Sequence, residues 1–143
     1  MSRKFDMTKI SDRLDYEILD CGMSKVRLAK EIGVSRDLVS SYTRKRFPEE
    51  SMQISVLKSF AEYFGKDIYY FCNDYHKFMD TVDVVRFLKR LRQEKGMTQK
   101  VLADELNITT AIYKKYEQGK CRLPYQVYLR LQEMYGPFEE AGV

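Results

Sequence analysis

Residues Thr98–Gly119 read TQKVLADELNITTAIYKKYEQG. Thr98 suits a helix N-cap, because its side-chain oxygen can accept an amide that has no partner inside the helix. A run of helix formers follows to Leu106. Asn107 then breaks the helix, since asparagine tolerates the left-handed backbone of a tight turn. Thr109 caps a second helix running to about Gln118, and Gly119 stops it. Leu102, Leu106, Ile108, Tyr113 and Tyr116 fall on the inward faces, and Ala103 is small where the two helices cross. The stretch predicts a helix–turn–helix, whose second helix is the candidate for a DNA major groove.

Within it, the run T-Q-x-x-L-A-x-x-L-x-I-T…Y-x-x-Y-E-x-G-K resembles the phage repressor/Cro family of helix–turn–helix regulators, the XRE family. A bare helix–turn–helix pattern is weakly specific, and the Y-E-x-G-K ending sharpens it. The resemblance implies a small all-α domain of about five helices.

The same pattern occurs a second time. Gly22 ends a first helical run with Leu14, Ile18 and Leu19. Ser24 caps a helix to Ile32, Gly33 turns the chain, and Ser35 caps another helix to about Thr43. When the chain is slid along itself so that Gly22 meets Gly96, the pairs Met23/Met97, Leu28/Leu102, Ala29/Ala103, Glu31/Glu105 and Tyr42/Tyr116 are identical as well. Such repetition predicts two copies of one domain: an all-α chain of two tandem repressor-like helix–turn–helix domains.

The first copy is expected over residues 1–72, after a frayed lead-in. Its fourth helix begins at Ser51, with Ile54, Leu57, Phe60, Ala61 and Phe64 inward. The stretch Asp67 to Cys72 resembles the family's short fifth helix. An aromatic linker, packed rather than loose, follows over 73–80. The second copy, 81–143, starts at Thr81 as N-cap and places Val84, Phe87, Leu88 and Leu91 inward. Pro124 opens its fourth helix, which buries Val127, Leu131 and Tyr135, and only PFEEAGV remains after it. The second copy therefore lacks the fifth helix.

The family pattern assigns base contacts to the recognition helices, about 36–43 and 110–117. In the first copy these are Arg36, Asp37, Ser40 and Ser41; in the second, Thr110, Ala111, Lys114 and Lys115. Arg36 suits a bidentate contact to guanine, Asp37 a cytosine amino group, and Thr110 and Ala111 a thymine methyl. A good bidentate pair is worth ~1–3 kcal/mol of discrimination. The alternative is that Arg36 and Asp37 simply pair on the surface. Phosphate contacts fall to the helix starts Ser24, Lys25, Thr98 and Gln99, whose amides favour an anion. They fall also to two basic clusters at equivalent places: Arg44, Lys45 and Arg46, and Lys120 and Arg122 beside Lys114 and Lys115. Six such contacts would give log K a slope near roughly −5 against log salt.

The resemblance also implies a structural pair, Arg92 in the second copy's first helix with Glu117 of the Y-E-x-G ending. The first copy has Ile18 and Thr43 there, so both partners are replaced together, a change that can be nearly neutral. It also has Lys45 opposite Gly119, and a longer loop after it.

Composition narrows the rest. The net charge of +4 is modest, with thirteen Lys/Arg against twelve Asp/Glu in residues 1–76 and twelve against nine in 77–143, so placement matters more than the total. Cys21, Cys72 and Cys121 are odd in number and far apart. They suggest neither a disulfide framework nor zinc, and point to a reducing cytoplasm. No apolar run spans a membrane, and the start is too polar for a signal peptide. His76 is the only histidine, and its aromatic surroundings suggest packing. No glycine-rich phosphate loop or paired metal ligands appear, so no enzyme, metal or cofactor is expected. The expectation is a duplex-DNA-binding transcriptional regulator, acting as a repressor in a bacterial or phage nucleoid, with a homodimer or protein partner as options. The alternative is a protein-interaction module, antitoxin-like or anti-repressor-binding, with one copy degenerate.

Overall fold

The computed structural model describes residues 4–138, so the first three residues of the lead-in and the last five of the tail lie outside the described part. Backbone contacts divide the chain into Met1–His76 and Lys77–Val143. Among the described residues every regular element is helical.

The first unit contains α1 (Ile10–Asp20), α2 (Lys25–Ile32), α3 (Arg36–Tyr42), a 3-10 turn (Glu49–Ser51) and α4 (Ile54–Tyr63). Ser24 and Ser35 cap α2 and α3, their hydroxyls accepting from Arg27 N and Leu38 N at 3.1 and 3.0 Å. Between them Gly33 sits at φ 85°, a left-handed position that costs glycine little. Leu14, Leu28, Val39, Leu57 and Phe60 have no exposed surface. Each such side chain stabilises the unit by roughly 1.5–3 kcal/mol, which makes this cluster its main cohesive term. The start of α1 has no cap of its own. Glu49, distant in sequence, accepts from Ile10 N at 2.8 Å instead.

Several boundaries differ from the sequence reading. The fourth helix begins at Ile54 rather than Ser51, because Glu49–Ser51 close a tighter 3-10 turn first. Asp67 to Cys72 is not a helix but a pair of turns, closed by Tyr70 N to Asp67 O and Cys72 N to Tyr69 O, each at 2.9 Å. The helix lies one step later. It is α5 (Asp74–Thr81), in the segment expected to be a linker. Asn73 accepts from His76 N while His76 Nδ1 accepts from Asn73 N, both at 3.0 Å, a reciprocal box that starts the helix. Thr81 therefore ends α5, its hydroxyl donating to Lys77 O, and the N-cap of the next helix is Asp83, which accepts from Arg86 N at 3.1 Å.

His76 is completely buried within the first unit. Its Nδ1 accepts a backbone amide, so the proton sits on Nε2, which donates to Glu49 O at 2.9 Å. The histidine is a packing and capping residue.

The second unit contains α6 (Val84–Glu94), α7 (Gln99–Glu105), α8 (Thr110–Glu117) and α9 (Tyr125–Tyr135). Pro124 takes the N-cap of α9 rather than its first turn. Leu88, Leu102, Tyr113, Leu123 and Leu131 are fully buried. At one end of this core Phe78 packs against Phe87, Tyr128 and Phe138, with ring centroids 5.2, 5.1 and 5.9 Å away. These aromatics cover the core where the sequence reading finds no fifth helix. Tyr135 donates to a carboxylate oxygen of Glu105. Burial and that neighbouring carboxylate raise its hydroxyl to about 12.

Candidate nucleic-acid interface

The two recognition helices are held the same way at their starts and differently at their ends. Thr98 accepts from Val101 N and Thr109 from Ile112 N, each at 3.2 Å, which sets α7 and α8 as Ser24 and Ser35 set α2 and α3. Asn107, at φ 61°, makes the turn that Gly33 makes in the first unit.

At the end of α8 the second unit has a polar network. Arg92 grips Glu117 with two bonds, Nε to Oε2 at 2.9 Å and Nη2 to Oε1 at 3.1 Å. Its third nitrogen donates to Met97 O at 3.3 Å. Gln99 Nε2 lies 3.4 Å from Glu117 Oε1. Fork-on-carboxylate geometry of this kind combines charge with fixed direction. It joins α6, the start of α7 and the end of α8 through one side chain. Glu117 is 3% exposed. Burial works against its charge, but the bonds from Arg92 and the charge of that guanidinium outweigh it and hold the carboxyl below the ordinary value. Burial beside this carboxylate raises the Tyr113 hydroxyl, which is enclosed without a hydrogen bond of its own.

At the equivalent places the first unit has Ile18, Thr43, Val39 and Lys25 for Arg92, Glu117, Tyr113 and Gln99. Ile18 and Val39 are buried. Thr43 satisfies its hydroxyl locally, donating to Val39 O at 3.2 Å and Ser40 O at 3.0 Å. The network is replaced as a set, so no buried charge is stranded.

Arg36 and Asp37 are exposed on α3 and form no ion pair with each other, while Ser40 and Ser41 are half-buried. On α8, Ala111, Lys114 and Lys115 are exposed and Thr110 is half-buried. Ile112, which helical periodicity does not single out for a contact role, is 41% exposed between them. Arg44, Arg46, Lys120 and Arg122 are exposed, as are the caps Ser24 and Thr98; Lys25 and Gln99 are half-buried.

Lys45 has a further engagement. Its ammonium lies 3.4 Å from Asp12 Oδ2, a carboxylate with no exposed surface that also accepts from Asp6 N at 2.7 Å. Periodicity in either helix gives no hint of this pair. The signal available in the sequence is the register of the repeat, which sets Asp12 opposite Arg86 and Lys45 opposite Gly119.

Residues 83–137 match the family model of a helix-turn-helix domain. The match begins at the N-cap of α6 and ends just after α9, so it covers the four helices and the network described above. Domains of this kind bind DNA, placing the second helix of the motif in the major groove. No curated protein and no solved structure shows a significant match to the chain. Among the described residues, no cluster of His, Cys, Asp or Glu is arranged to hold a metal ion, and no helix is long and apolar enough to cross a membrane.

Proposed function

We propose that this chain is a sequence-specific regulator of transcription, a repressor of the phage repressor/Cro kind, that reads duplex DNA through α8 and α3. The observation that carries the proposal is the second unit's arrangement. Half-buried Thr110 and exposed Ala111, Lys114 and Lys115 stand in a row on a helix whose far end is fixed by Arg92, Glu117 and Gln99. A rigid helix presenting short polar, methyl and cationic side chains suits base edges and phosphates together. Two recognition helices of different sequence on one chain imply two unlike half-sites about one helical turn apart. The chain then acts as a covalent pseudo-dimer in the cytoplasm.

Selection of binding sites from a random duplex library at two salt concentrations tests this. Two unlike half-sites support the tandem reader, and a single half-site leaves only one copy reading. Salt-sensitive binding without an enriched motif would refute sequence reading altogether.

A second reading draws on the Lys45–Asp12 pair and the missing network, which make the first unit the less DNA-like copy and suit it to gripping a protein or a second chain. Replacing Arg36 and Ser40 by alanine, against the same change at Thr110 and Lys114, separates the two. Under the second reading only the Thr110/Lys114 variant loses sequence preference.

A further inference from the structure

The helix that opens each unit carries opposite charge in the two copies. In α1, Asp12, Asp15, Glu17 and Asp20 stand against one cation, Arg13; in α6, Arg86, Lys89, Arg90 and Arg92 stand against one carboxylate, Glu94. The register of the repeat sets Asp12 opposite Arg86 and Asp15 opposite Lys89. In the first unit this acidic helix holds down the cation that follows the recognition helix, through the 3.4 Å contact of Lys45 with Asp12.

At the corresponding positions the second unit cannot form this pair. Position 119 is glycine, and the opening helix presents an arginine where the buried carboxylate stood. A Cβ placed on Gly119 would lie 3.5 Å from Val85 Cγ2, so the chain leaves α8 beside the N-terminal half of α6 and runs directly into Lys120. Val85 also lines an open hollow of about 650 Å³ on α6, together with Asp83, Arg86, Lys89, Arg90 and Gln93. Arg86 and Lys89 are exposed there, three residues apart on one face. Asp83 is the one acid among these residues, and its carboxylate is engaged with Arg86 N at 3.1 Å as the helix cap. The hollow has the volume of a small-molecule pocket but lies on one helix and is open, so it cannot enclose a ligand as such pockets do. A strand laid across it is the better fit.

We propose that this hollow is a second phosphate-binding surface, on which Arg86 and Lys89 hold the backbone of the duplex flanking the site that α8 reads. This rests on the reading of the second unit as a DNA reader. The phosphates would be met by a surface running from Lys114 and Lys115 through Lys120 to α6. Contacts of this class add affinity and register without sequence information.

The test compares the full chain with the R86Q/K89Q and K114Q/K115Q variants on the selected site, once within a long duplex and once trimmed to the site itself. Each phosphate contact contributes about 0.9 to the salt slope, so loss of two flattens it by about 1.8. Over a fourfold rise in salt the unaltered chain should then lose about tenfold more affinity than R86Q/K89Q. The difference should appear on the long duplex, vanish on the trimmed one, and leave the preferred sequence unchanged. An unaltered slope for R86Q/K89Q, while K114Q/K115Q flattens, overturns the proposal and leaves the α8 reading intact. A difference that persists on the trimmed duplex overturns it too, since the residues then act within the site. If the unaltered chain binds neither duplex, the DNA reading itself has failed, and this surface fails with it.

Discussion

Arg92, Tyr113 and Glu117 of the second unit occupy the positions of Ile18, Val39 and Thr43 in the first. One junction, between the opening helix and the end of the recognition helix, is closed by a directed ion pair in one copy and by apolar contact in the other. The two solutions differ in what they fix. Apolar packing is non-directional and stabilises in proportion to the area buried. A bidentate pair fixes the rotation of one helix against another, and is not in itself a large net source of stability. The second unit therefore holds the angle of its recognition helix by hydrogen-bond geometry, while the first relies on apolar packing at these positions, with the Lys45–Asp12 contact just beyond the helix. The family match falls on the unit with the pair.

The largest expected effect comes from breaking the network on one side only. Glu117→Ala leaves Arg92 without its carboxylate in a setting where its side chain is 22% exposed. The range for stranding one member of a buried pair is ~3–5 kcal/mol, and partial exposure places this case near the lower end. Replacing both, as R92I/E117T, imitates the first unit and should cost about 1 kcal/mol or less. Hydrogen exchange of the α6 and α8 amides reports the second unit separately. Equal losses for the two variants would mean that the first unit's solution does not transfer, and that the comparison between the copies is only formal.

Much of this arrangement is legible in the sequence, and the reasons are local. Ser24, Ser35, Thr98 and Thr109 signal their caps because a short side-chain oxygen before a helical run has one dominant use. Gly33 and Asn107 signal their turns because few residues accept a positive φ. The stretch between the motifs misleads because Tyr69, Tyr70 and Phe71 suit a helix, a strand or a packed turn equally well. What starts α5 is the exchange of bonds between Asn73 and His76, and histidine is not among the residues usually read as closing such a box. The 3-10 turn at Glu49 is hidden for another reason. Glu49 serves α1 and His76, far away in sequence, and no local pattern encodes that. At the candidate site, exposure of Lys114 and Lys115 follows from helical period, whereas the Lys45–Asp12 contact needs the fold.

Acid sharpens the same contrast with a smaller effect. The folded state holds the Glu117 carboxyl below its ordinary value of 4.5. A depressed carboxylate contributes stability that is fully present above the unfolded value and is lost as pH falls through the folded one. Protection of the α8 amides should therefore hold steady down to about pH 5 and decline below it. In R92I/E117T, which has no carboxyl at 117, that part of the decline should be absent. A decline of equal depth in the variant would assign the acid sensitivity to other carboxylates.

The smallest effect is at the turns, where the two copies use different residues for one backbone shape. Gly33 has φ 85° and Asn107 has φ 61°, and no atom lies within 4 Å of a Cβ built on Gly33. Space is therefore not what selects glycine in the first unit; backbone conformation is. Asparagine tolerates the left-handed region better than other side chains do, and glycine enters it freely but loses more entropy on folding. Those terms oppose each other, so exchanging the residues as G33N and N107G should shift each unit's stability by less than about 0.5 kcal/mol. Gly33→Ala has the strain without asparagine's local hydrogen bonding and should cost about 1 kcal/mol. Urea unfolding of the three variants distinguishes these cases. A large loss for G33N would show that the two left-handed conformations are not interchangeable, and that the two turns set their recognition helices at different angles. A neutral exchange would instead place the difference between the two copies at the far ends of α3 and α8, where the network stands in one copy and is replaced in the other.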